Sequence, residues 1–164
     1  GGGHGLGPIK SVLRTLDKMG KDLQFIVVCG LNKRLYAWIN RQSLKNRILN
    51  FRFTDQIDRL MSMASVIITK PGGITTAEAL AKKLPMIILN PIPGQETRNT
   101  EILTKKGAAI KVGGLEELLP VMRTILDDRH SFLDAMFDAS SPNSSPPIPS
   151  ATTRIPQFNS LLLL

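Results

Sequence analysis

Three glycine-rich segments of the sequence carry residue types that bind phosphate. They span residues 1–7, 70–75 and 90–96. Glycine has no Cβ, so a ligand can approach its backbone closely, and the free N–H groups at a helix amino terminus favour anions. Each segment has the pattern that follows a strand and precedes a helix, and in open α/β sheets such segments meet at the carboxyl edge. A nucleoside diphosphate is the ligand that this combination predicts.

Glu78 has two interpretations. Thr75 and Glu78 have the T-x-x-E spacing of a capping box, in which Thr75 caps a helix and Glu78 accepts a hydrogen bond from the Thr75 N–H. A carboxylate one turn into a helix at a nucleotide site is also well placed to accept hydrogen bonds from the two ribose hydroxyls. Spacing alone favours capping, and the two roles can coexist.

Four other candidate residues are less specific. Gln95 and Glu96 suit the positive dipole at the start of a helix, or hydrogen bonds with sugar hydroxyls. His4 is either a phosphate contact or an exposed turn residue. Cys29 is predicted to be a small buried hydrophobic residue, and a single cysteine excludes an internal disulfide framework and a multi-cysteine metal site.

Short apolar runs alternate with helical patterns along the chain. Because the runs are apolar on both faces and helices of about ten residues separate them, we predict a Rossmann-like doubly wound parallel α/β sheet. The predicted strands span residues 23–29, 48–53, 65–69, 85–89 and 108–112. The predicted helices span residues 33–41, 56–64, 77–83, 99–106, 115–126 and 129–137.

Both ends of the chain depart from this pattern. Residues 1–8 are typical of the turn between a strand and a helix, with Pro8 suited to the first helical position, yet no strand precedes them. Because the first strand of a doubly wound sheet is central, we expect a truncated first strand and a sheet without its middle strand. Residues 1–139 are assigned to one domain, and the Pro- and Ser-rich residues 140–164 to a disordered tail.

The chain carries a net charge of +8, and its basic residues are concentrated. Between Lys33 and Arg52, six Lys and Arg residues occur without an acidic one. Such a field attracts phosphates, anionic lipid surfaces or nucleic acid, or simply keeps a surface solvated. Nucleic acid is the weakest candidate, because one Tyr, one Trp and six Phe make a poor stacking platform. No apolar run approaches the roughly 20 residues that span a bilayer.

Two of these segments carry a resemblance to a known family. Residues 68–75 and 78–80, followed by residues 90–96 and Asn99, closely resemble the carboxyl-terminal half of the diacylglycerol glycosyltransferases of glycosyltransferase family 28. That family includes processive diacylglycerol glucosyltransferases and monogalactosyldiacylglycerol synthase, and it is related to the peptidoglycan lipid-intermediate N-acetylglucosaminyltransferase. The resemblance runs from about residue 1 to residue 112.

The resemblance implies the donor-binding half of a GT-B enzyme, which has two Rossmann-like domains and a cleft between them. The implied reaction is inverting transfer of a hexose from UDP-glucose or UDP-galactose to diacylglycerol or a glycosyl-diacylglycerol, without a metal or another cofactor. The absent amino-terminal domain supplies the general base and most of the lipid-facing surface, so we expect this chain to be inactive alone. The expected location is cytoplasmic and peripheral to an anionic membrane, a plastid membrane in a plant, without nucleic acid.

The resemblance also implies roles for individual residues. These roles are a uracil pocket bordered by Phe53 and Thr54, a ribose ligand in Glu78, a diphosphate faced by Gly3, His4 and Thr75, and a transferred sugar faced by Gln95 and Glu96. The other implied donor-site residues are Gly5, Gly30, Asn32, Lys70, Pro71, Gly72, Gly73, Ile74 and Asn99. The resemblance makes ribose binding the favoured role of Glu78, and it assigns no catalytic residue and no metal ligand to this chain.

Two alternatives stay open from the sequence. One is a noncatalytic donor-binding subunit of a two-component lipid-linked N-acetylglucosaminyltransferase, which gains activity only with a membrane-bound partner. The other is a domain like that of the peptidoglycan lipid-intermediate N-acetylglucosaminyltransferase. An in-frame acceptor domain upstream would favour the diacylglycerol enzyme over the two-component arrangement.

Overall fold

A computed structural model describes residues 8–20, 22–89, 95–127, 133–134 and 159–164 of the chain. In these residues helices and strands alternate along most of the sequence. In chain order they are α1 (Ile9–Asp17), β1 (Leu23–Val28), α2 (Lys33–Ile39), β2 (Arg47–Phe51), α3 (Ile57–Met63), β3 (Val66–Thr69), α4 (Gly73–Ala81), β4 (Met86–Leu89), α5 (Gln95–Lys105), β5 (Ala109–Val112), α6 (Leu115–Asp127) and β6 (Asn159–Leu163).

The strands form one parallel sheet in the order β2-β1-β6-β3-β4-β5. Successive side chains of a strand point to opposite faces, so Phe25 and Val27 pack on one side of the sheet and Ile26 on the other. Helices α1, α2 and α6 cover the first side, and α3, α4 and α5 cover the second. The predicted doubly wound α/β sheet is confirmed.

Strand β6 occupies the centre of this sheet. Leu161 pairs with Phe25 of β1, and Leu162 pairs with Ile67 of β3. Leu161, Leu162 and Leu163 are almost fully buried, with Leu162 facing the second side of the sheet and its two neighbours the first. The sheet therefore has its middle strand, and the expected gap between β1 and β3 is filled by residues from the far end of the sequence.

The predicted disordered tail over residues 140–164 is wrong for its last six residues. Strand β6 begins at Asn159, and the N–H of Leu164 donates to the carbonyl oxygen of Ile68 at 3.2 Å. The apolar run from Leu161 to Leu164 is too short to indicate a strand by periodicity. Its pairing partners in β3 lie more than ninety positions away along the chain. Residues 140–158 lie outside the described residues, so the domain boundary at 139 stays a prediction.

Two helices begin one turn earlier than the sequence predicts. Helix α4 begins at Gly73 and α5 at Gln95, where the predicted starts were residues 77 and 99. Glycine is a poor helix former, which favoured a loop at the start of α4. Gly72 instead serves as an extended N-cap residue, a position that tolerates glycine, and its carbonyl accepts the Thr76 N–H. The predicted helix over 129–137 lies largely outside the described residues.

Asp17, at the end of α1, ties that helix to the loop before β2. Its carboxylate accepts hydrogen bonds from the N–H groups of Lys45 and Asn46 at 3.0 and 2.9 Å, and from the Asn46 side chain at 3.1 Å. Burial alone raises the pKa of Asp17, but these hydrogen bonds and the charge of Lys45 outweigh burial, so the pKa lies below its ordinary value. The ionised carboxylate is therefore the form that stabilises the fold.

Replacing Asp17 with alanine is expected to lower the free energy of unfolding by about 3 kcal/mol at neutral pH, because two backbone N–H groups lose a charged acceptor. The stabilisation is present above the unfolded-chain pKa of about 4 and is lost as the pH falls through the lower folded-state pKa. Urea titrations at pH 7 and at about pH 2 test this, with the exposed Asp22→Ala as the control. An equal loss at both pH values would show that the charge is not responsible.

Candidate functional site

A cavity of about 520 Å³ opens at the carboxyl edge of the sheet. It lies where β1 and β6 end, between the loop that follows β2 and the first two turns of α4. Its walls are formed by Val28, Gly30, Phe53, Thr54, Asp55, Ile57, Ile74, Thr75, Glu78 and Leu164. The size suits a nucleoside, and the walls combine apolar side chains with two carboxylates. We refer to this cavity as the cleft.

Six cleft residues were predicted from the sequence and four were missed. The predicted ones are Gly30, Phe53, Thr54, Ile74, Thr75 and Glu78. The missed ones are Val28, Asp55, Ile57 and Leu164. Asp55 follows the predicted pair Phe53 and Thr54 directly, so its position in the same loop was a usable signal. Leu164 carried no such signal, because only the insertion of β6 brings it to this edge.

The capping-box interpretation of Thr75 and Glu78 is wrong. Helix α4 begins at Gly73, so Thr75 lies inside the helix, and its N-cap residue is Gly72, which has no side chain to form a cap. Glu78 lies one and a half turns into α4 and lines the cleft. The helix therefore does not need this carboxylate as a cap, and the functional interpretation of Glu78 remains.

The amino terminus of α4 presents backbone N–H groups at the edge of the sheet. The first N–H groups of any α-helix have no intrahelical acceptor, and among the described residues no capping side chain supplies one here. A Cβ added at Gly72 or Gly73 would meet no atom within 4 Å, and neither residue has a positive φ. Neither the packing nor the backbone conformation requires glycine at these two positions, so the space beside them is open to a ligand.

The loop after β3 is tied to the start of α5. Lys70 Nζ lies 3.7 Å from Glu96 Oε1, and the Asn99 side-chain amide donates to the Pro71 carbonyl at 2.9 Å. Lys70, Pro71, Glu96 and Asn99 are thus brought together with one another, beside the cleft rather than in its walls. Asn99 and Gly73 border a second cavity of about 210 Å³ between α4 and α5, which is mainly apolar.

The loop after β1 combines a wall residue with a helix cap. Gly30 has φ +57°, a conformation that favours glycine, and it lines the cleft. The Asn32 side chain accepts the Leu35 N–H at 2.9 Å and caps α2. Asn32 is therefore placed as a cap and is not among the cleft walls.

Several of the predicted site residues lie wholly or partly outside the described part of the chain. Gly3, His4 and Gly5 lie outside the described residues, as do residues 90–94. Gln95 begins α5, but its side chain is not among the described ones. Their roles in binding stay predictions.

Two large apolar side chains stand at the mouth of the cleft. Phe53 is 77% exposed and Ile74 is 79% exposed. They lie on the loop after β2 and on the first turn of α4, and both line the cleft. A planar base inserted between them would cover apolar surface that is now in contact with water.

Known proteins match most of this chain. Residues 8–136 match the glycosyltransferase family 28 C-terminal domain. The chain belongs to glycosyltransferase family 28. It is 37% identical over 130 residues to the processive diacylglycerol beta-glucosyltransferase of Bacillus cereus strain AH187, and 35% identical over 130 residues to that of Bacillus thuringiensis strain Al Hakam. Both alignments cover 77% of this chain and 33% of the relative.

The family match confirms the resemblance read from residues 68–80 and 90–99. The chain spans about one third of the length of these curated relatives. The match ends at residue 136, so family membership rests on the elements from α1 to α6, and β6 lies beyond it. The central strand of this family 28 domain is thus supplied by residues outside the matched region.

Cys29 takes no part in the chemistry of the family 28 cleft. It is fully buried, and its thiol donates to Asn50 Oδ1 at 3.3 Å. Burial raises the pKa of the Cys29 thiol to about 11, so it is protonated and unreactive at neutral pH. The predicted role as a small buried hydrophobic residue is confirmed.

The described ranges contain neither a metal-binding cluster nor a membrane-spanning helix. Among those residues, no group of three or more His, Cys, Asp or Glu side chains is arranged to hold a metal ion. No helix in the same ranges has the length and apolar character needed to cross a bilayer.

Proposed function

We propose that this chain is the donor-binding domain of an inverting glycosyltransferase that uses UDP-glucose or UDP-galactose. The acceptor is diacylglycerol or a glycosyl-diacylglycerol. The observation that carries the proposal is that one cleft combines the Glu78 carboxylate with the uncapped amino terminus of α4. The kinship with processive diacylglycerol beta-glucosyltransferases supports a lipid acceptor and favours this function over the two-component alternative.

The charges around the cleft orient the donor. Asp55 and Glu78 repel phosphate and accept hydrogen bonds, so their part of the cleft suits the hydroxyl and N–H groups of uridine. The N–H groups at the start of α4 suit the diphosphate, because the helix dipole places partial positive charge there. Uracil then lies between Phe53 and Ile74, and the ribose hydroxyls face Glu78.

The same helix terminus assists the reaction. When the sugar leaves UDP, negative charge grows on the diphosphate, and fixed N–H dipoles stabilise that charge. The acceptor hydroxyl also has to lose a proton to a positioned base. We assign the base to the amino-terminal part of the whole enzyme, so this chain alone binds donor without transferring sugar. The whole enzyme is proposed to work on the cytoplasmic side, peripherally on an anionic membrane.

Calorimetric titration with UDP, UDP-glucose and UDP-galactose tests the proposal, and Gly73→Ala is the informative variant. An added Cβ at the start of α4 obstructs a bound diphosphate, so UDP affinity is expected to fall about tenfold or more. The free energy of unfolding is expected to rise by about 0.5 kcal/mol, because the residue is helical and alanine is the better helix former.

Uridine is the matched control ligand, because it lacks the diphosphate. The affinity of Gly73→Ala for uridine should differ less than twofold from that of the native chain, which is the size of effect that an ordinary surface substitution has. Unchanged UDP affinity in Gly73→Ala would show that the diphosphate does not bind at the amino terminus of α4. Absence of heat with all three nucleotides would reject donor binding by this chain.

A further inference from the structure

The second cavity and the cleft lie on different faces of the same helix, α4. An α-helix has about 3.6 residues per turn, so residues three or four apart share a face. The α4 residues that line the second cavity are Gly73, Thr76, Ala77 and Leu80. The α4 residues that line the cleft are Ile74, Thr75 and Glu78. The two cavities therefore border the same turns of α4, and their described walls have no residue in common.

One polar group in the wall of the second cavity lacks a hydrogen-bond partner. The hydroxyl oxygen of Thr76 is buried, and it forms no hydrogen bond with any described residue. The other polar side chain of the described wall, that of Asn99, donates its amide to the Pro71 carbonyl at 2.9 Å. Buried polar groups in folded proteins nearly always have a partner, so the Thr76 hydroxyl points to a ligand that supplies one.

Other helical threonines of this chain show the hydrogen bond that Thr76 does not form. The hydroxyls of Thr100, Thr104 and Thr124 donate to the carbonyl oxygens four residues earlier, at 2.6, 2.9 and 3.1 Å. Such a bond satisfies a threonine hydroxyl inside its own helix. The carbonyl four residues before Thr76 is that of Gly72, and it accepts the Thr76 N–H. Within the described part of the chain, the Thr76 hydroxyl is thus left for a group that enters the cavity.

The rest of the wall is mainly aliphatic. Ala77, Leu80, Ile102 and Leu103 supply it, and none of the described lining residues is charged. Ile102 is 46% exposed, so part of this apolar surface is in contact with water. If a methylene group takes about the volume of a water molecule, the cavity of about 210 Å³ holds roughly seven of them. The wall therefore suits an aliphatic chain of that length, because each buried methylene group is stabilising.

We propose that the second cavity binds one acyl chain of the lipid acceptor, and that the Thr76 hydroxyl donates a hydrogen bond to the ester carbonyl of that chain. An ester oxygen can only accept hydrogen bonds, and a threonine hydroxyl can donate one. A free fatty acid would bring a carboxylate into a wall that has no cation to pair with it. A plain alkyl chain would leave the Thr76 hydroxyl without a partner. An acyl ester suits both the aliphatic wall and the hydroxyl.

This position holds the acceptor hydroxyl close to the proposed site of the diphosphate. Gly73, the first residue of α4, lines the second cavity, and the diphosphate is proposed to bind at this helix terminus. Thr76 lies one turn further along the same helix. In diacylglycerol the ester carbonyls are only a few bonds from the free hydroxyl, so an ester at Thr76 keeps that hydroxyl near Gly73. The inference rests on the proposed function for the identity of the acceptor and for the place of the diphosphate.

Calorimetric titration of the 164-residue chain with short monoacylglycerols, in the absence of nucleotide, tests the inference. The probes are butanoyl-, hexanoyl-, octanoyl- and decanoylglycerol, each below the concentration at which it aggregates. Affinity is expected to rise about tenfold for each two added methylene groups and to level off beyond the octanoyl chain, which fills the cavity. The octyl ether of glycerol keeps the chain and lacks the carbonyl, so it should bind about fivefold more weakly than octanoylglycerol.

Thr76→Val tests the hydroxyl, because valine keeps the shape of threonine. Its affinity for octanoylglycerol should fall about fivefold to that of the ether, whose own binding should not change. The free energy of unfolding should not fall, because no described hydrogen bond is lost. Ala77→Phe places a large side chain in the cavity wall and should abolish binding of both probes. Ala81→Phe is the matched control, since Ala81 is exposed one turn further along α4 and outside the described cavity wall.

Four results would overturn the proposal. They are no saturable binding, affinity that keeps rising with chain length, equal affinities of the native chain for the ester and the ether, and unchanged binding in Ala77→Phe. Octanoate that binds more tightly than octanoylglycerol would assign the cavity to a free fatty acid instead. The comparison of ester and ether uses the native chain, so it decides the matter even if a variant does not fold. UDP binding without octanoylglycerol binding would reject this inference alone, and the reverse result would reject donor binding.

Discussion

Replacing Glu78 with alanine is expected to weaken UDP binding about 100-fold while the free energy of unfolding changes by less than about 0.5 kcal/mol. A large effect is expected because, in the proposed donor complex, one carboxylate accepts hydrogen bonds from two ribose hydroxyls, and hydrogen bonds to a charged group are the strong ones. The small effect follows because α4 begins at Gly73 and does not use Glu78 as a cap. Calorimetric titration with UDP and urea unfolding of the same protein measure the two quantities.

Two variants make the Glu78 result specific. Glu78→Gln keeps the shape and one oxygen acceptor, so its affinity should fall between those of the native chain and the alanine variant. Glu101→Ala removes an exposed carboxylate from α5, away from the cleft, and should leave UDP binding unchanged. If Glu78→Ala loses about 1 kcal/mol of stability and keeps its UDP affinity, the carboxylate has a structural role after all.

Replacing Leu162 with alanine is expected to cost about 2–5 kcal/mol, and replacing it with aspartate to abolish folding. Leu162 is fully buried in the central strand and packs among residues of β1, β3 and α3. A net stability of about 5–15 kcal/mol is usual for a domain, so the loss of one such side chain removes a large share of it. Thermal unfolding followed by far-ultraviolet circular dichroism measures the effect.

UDP binding should also depend on the position of β6. Leu164 lines the cleft at the end of this strand, so Leu164→Ala should weaken UDP binding by a fewfold with little loss of stability, since this residue is only partly buried. Leu31→Ala is the control for both leucines, because that side chain is 65% exposed. If Leu162→Asp unfolds at the same temperature as the native chain, residues 159–163 do not form the centre of the sheet.

The sequence was enough to predict five of the six strands and part of the cleft. Alternating apolar runs were enough to predict β1 to β5, because β1, β3 and β4 are buried on both faces and each of the five strands is followed by a helix close along the chain. The edge strands β2 and β5 are less buried. The glycine segment at 70–75 indicated the edge at which the cleft opens, because parallel strands place their following loops together. The cleft residues Ile74, Thr75 and Glu78 could be predicted for that reason, whereas Gly30, Phe53 and Thr54 were implied by the family resemblance.

The start of α4 shows where local sequence rules fail. Thr75 and Glu78 have capping-box spacing, yet the helix begins two residues before Thr75. Spacing describes which side chains could bond, whereas the true start depends on how the chain leaves β3 and where α4 meets the sheet. This start of the helix leaves the Glu78 carboxylate free of a capping role, and in the described part of the chain it leaves the first N–H groups of α4 without a side-chain cap.

The sequence by itself determined a parallel α/β domain, the sheet edge at which the cleft opens and membership of glycosyltransferase family 28, because local periodicity and short motifs carry all three. Only the tertiary structure decided that β6 fills the space between β1 and β3, that Leu164 closes the cleft, and that Lys10 and Arg14 meet Trp38. Each of these is a contact between residues distant along the chain. Packing free energy selects such contacts among many apolar and charged alternatives, and no local pattern records the choice.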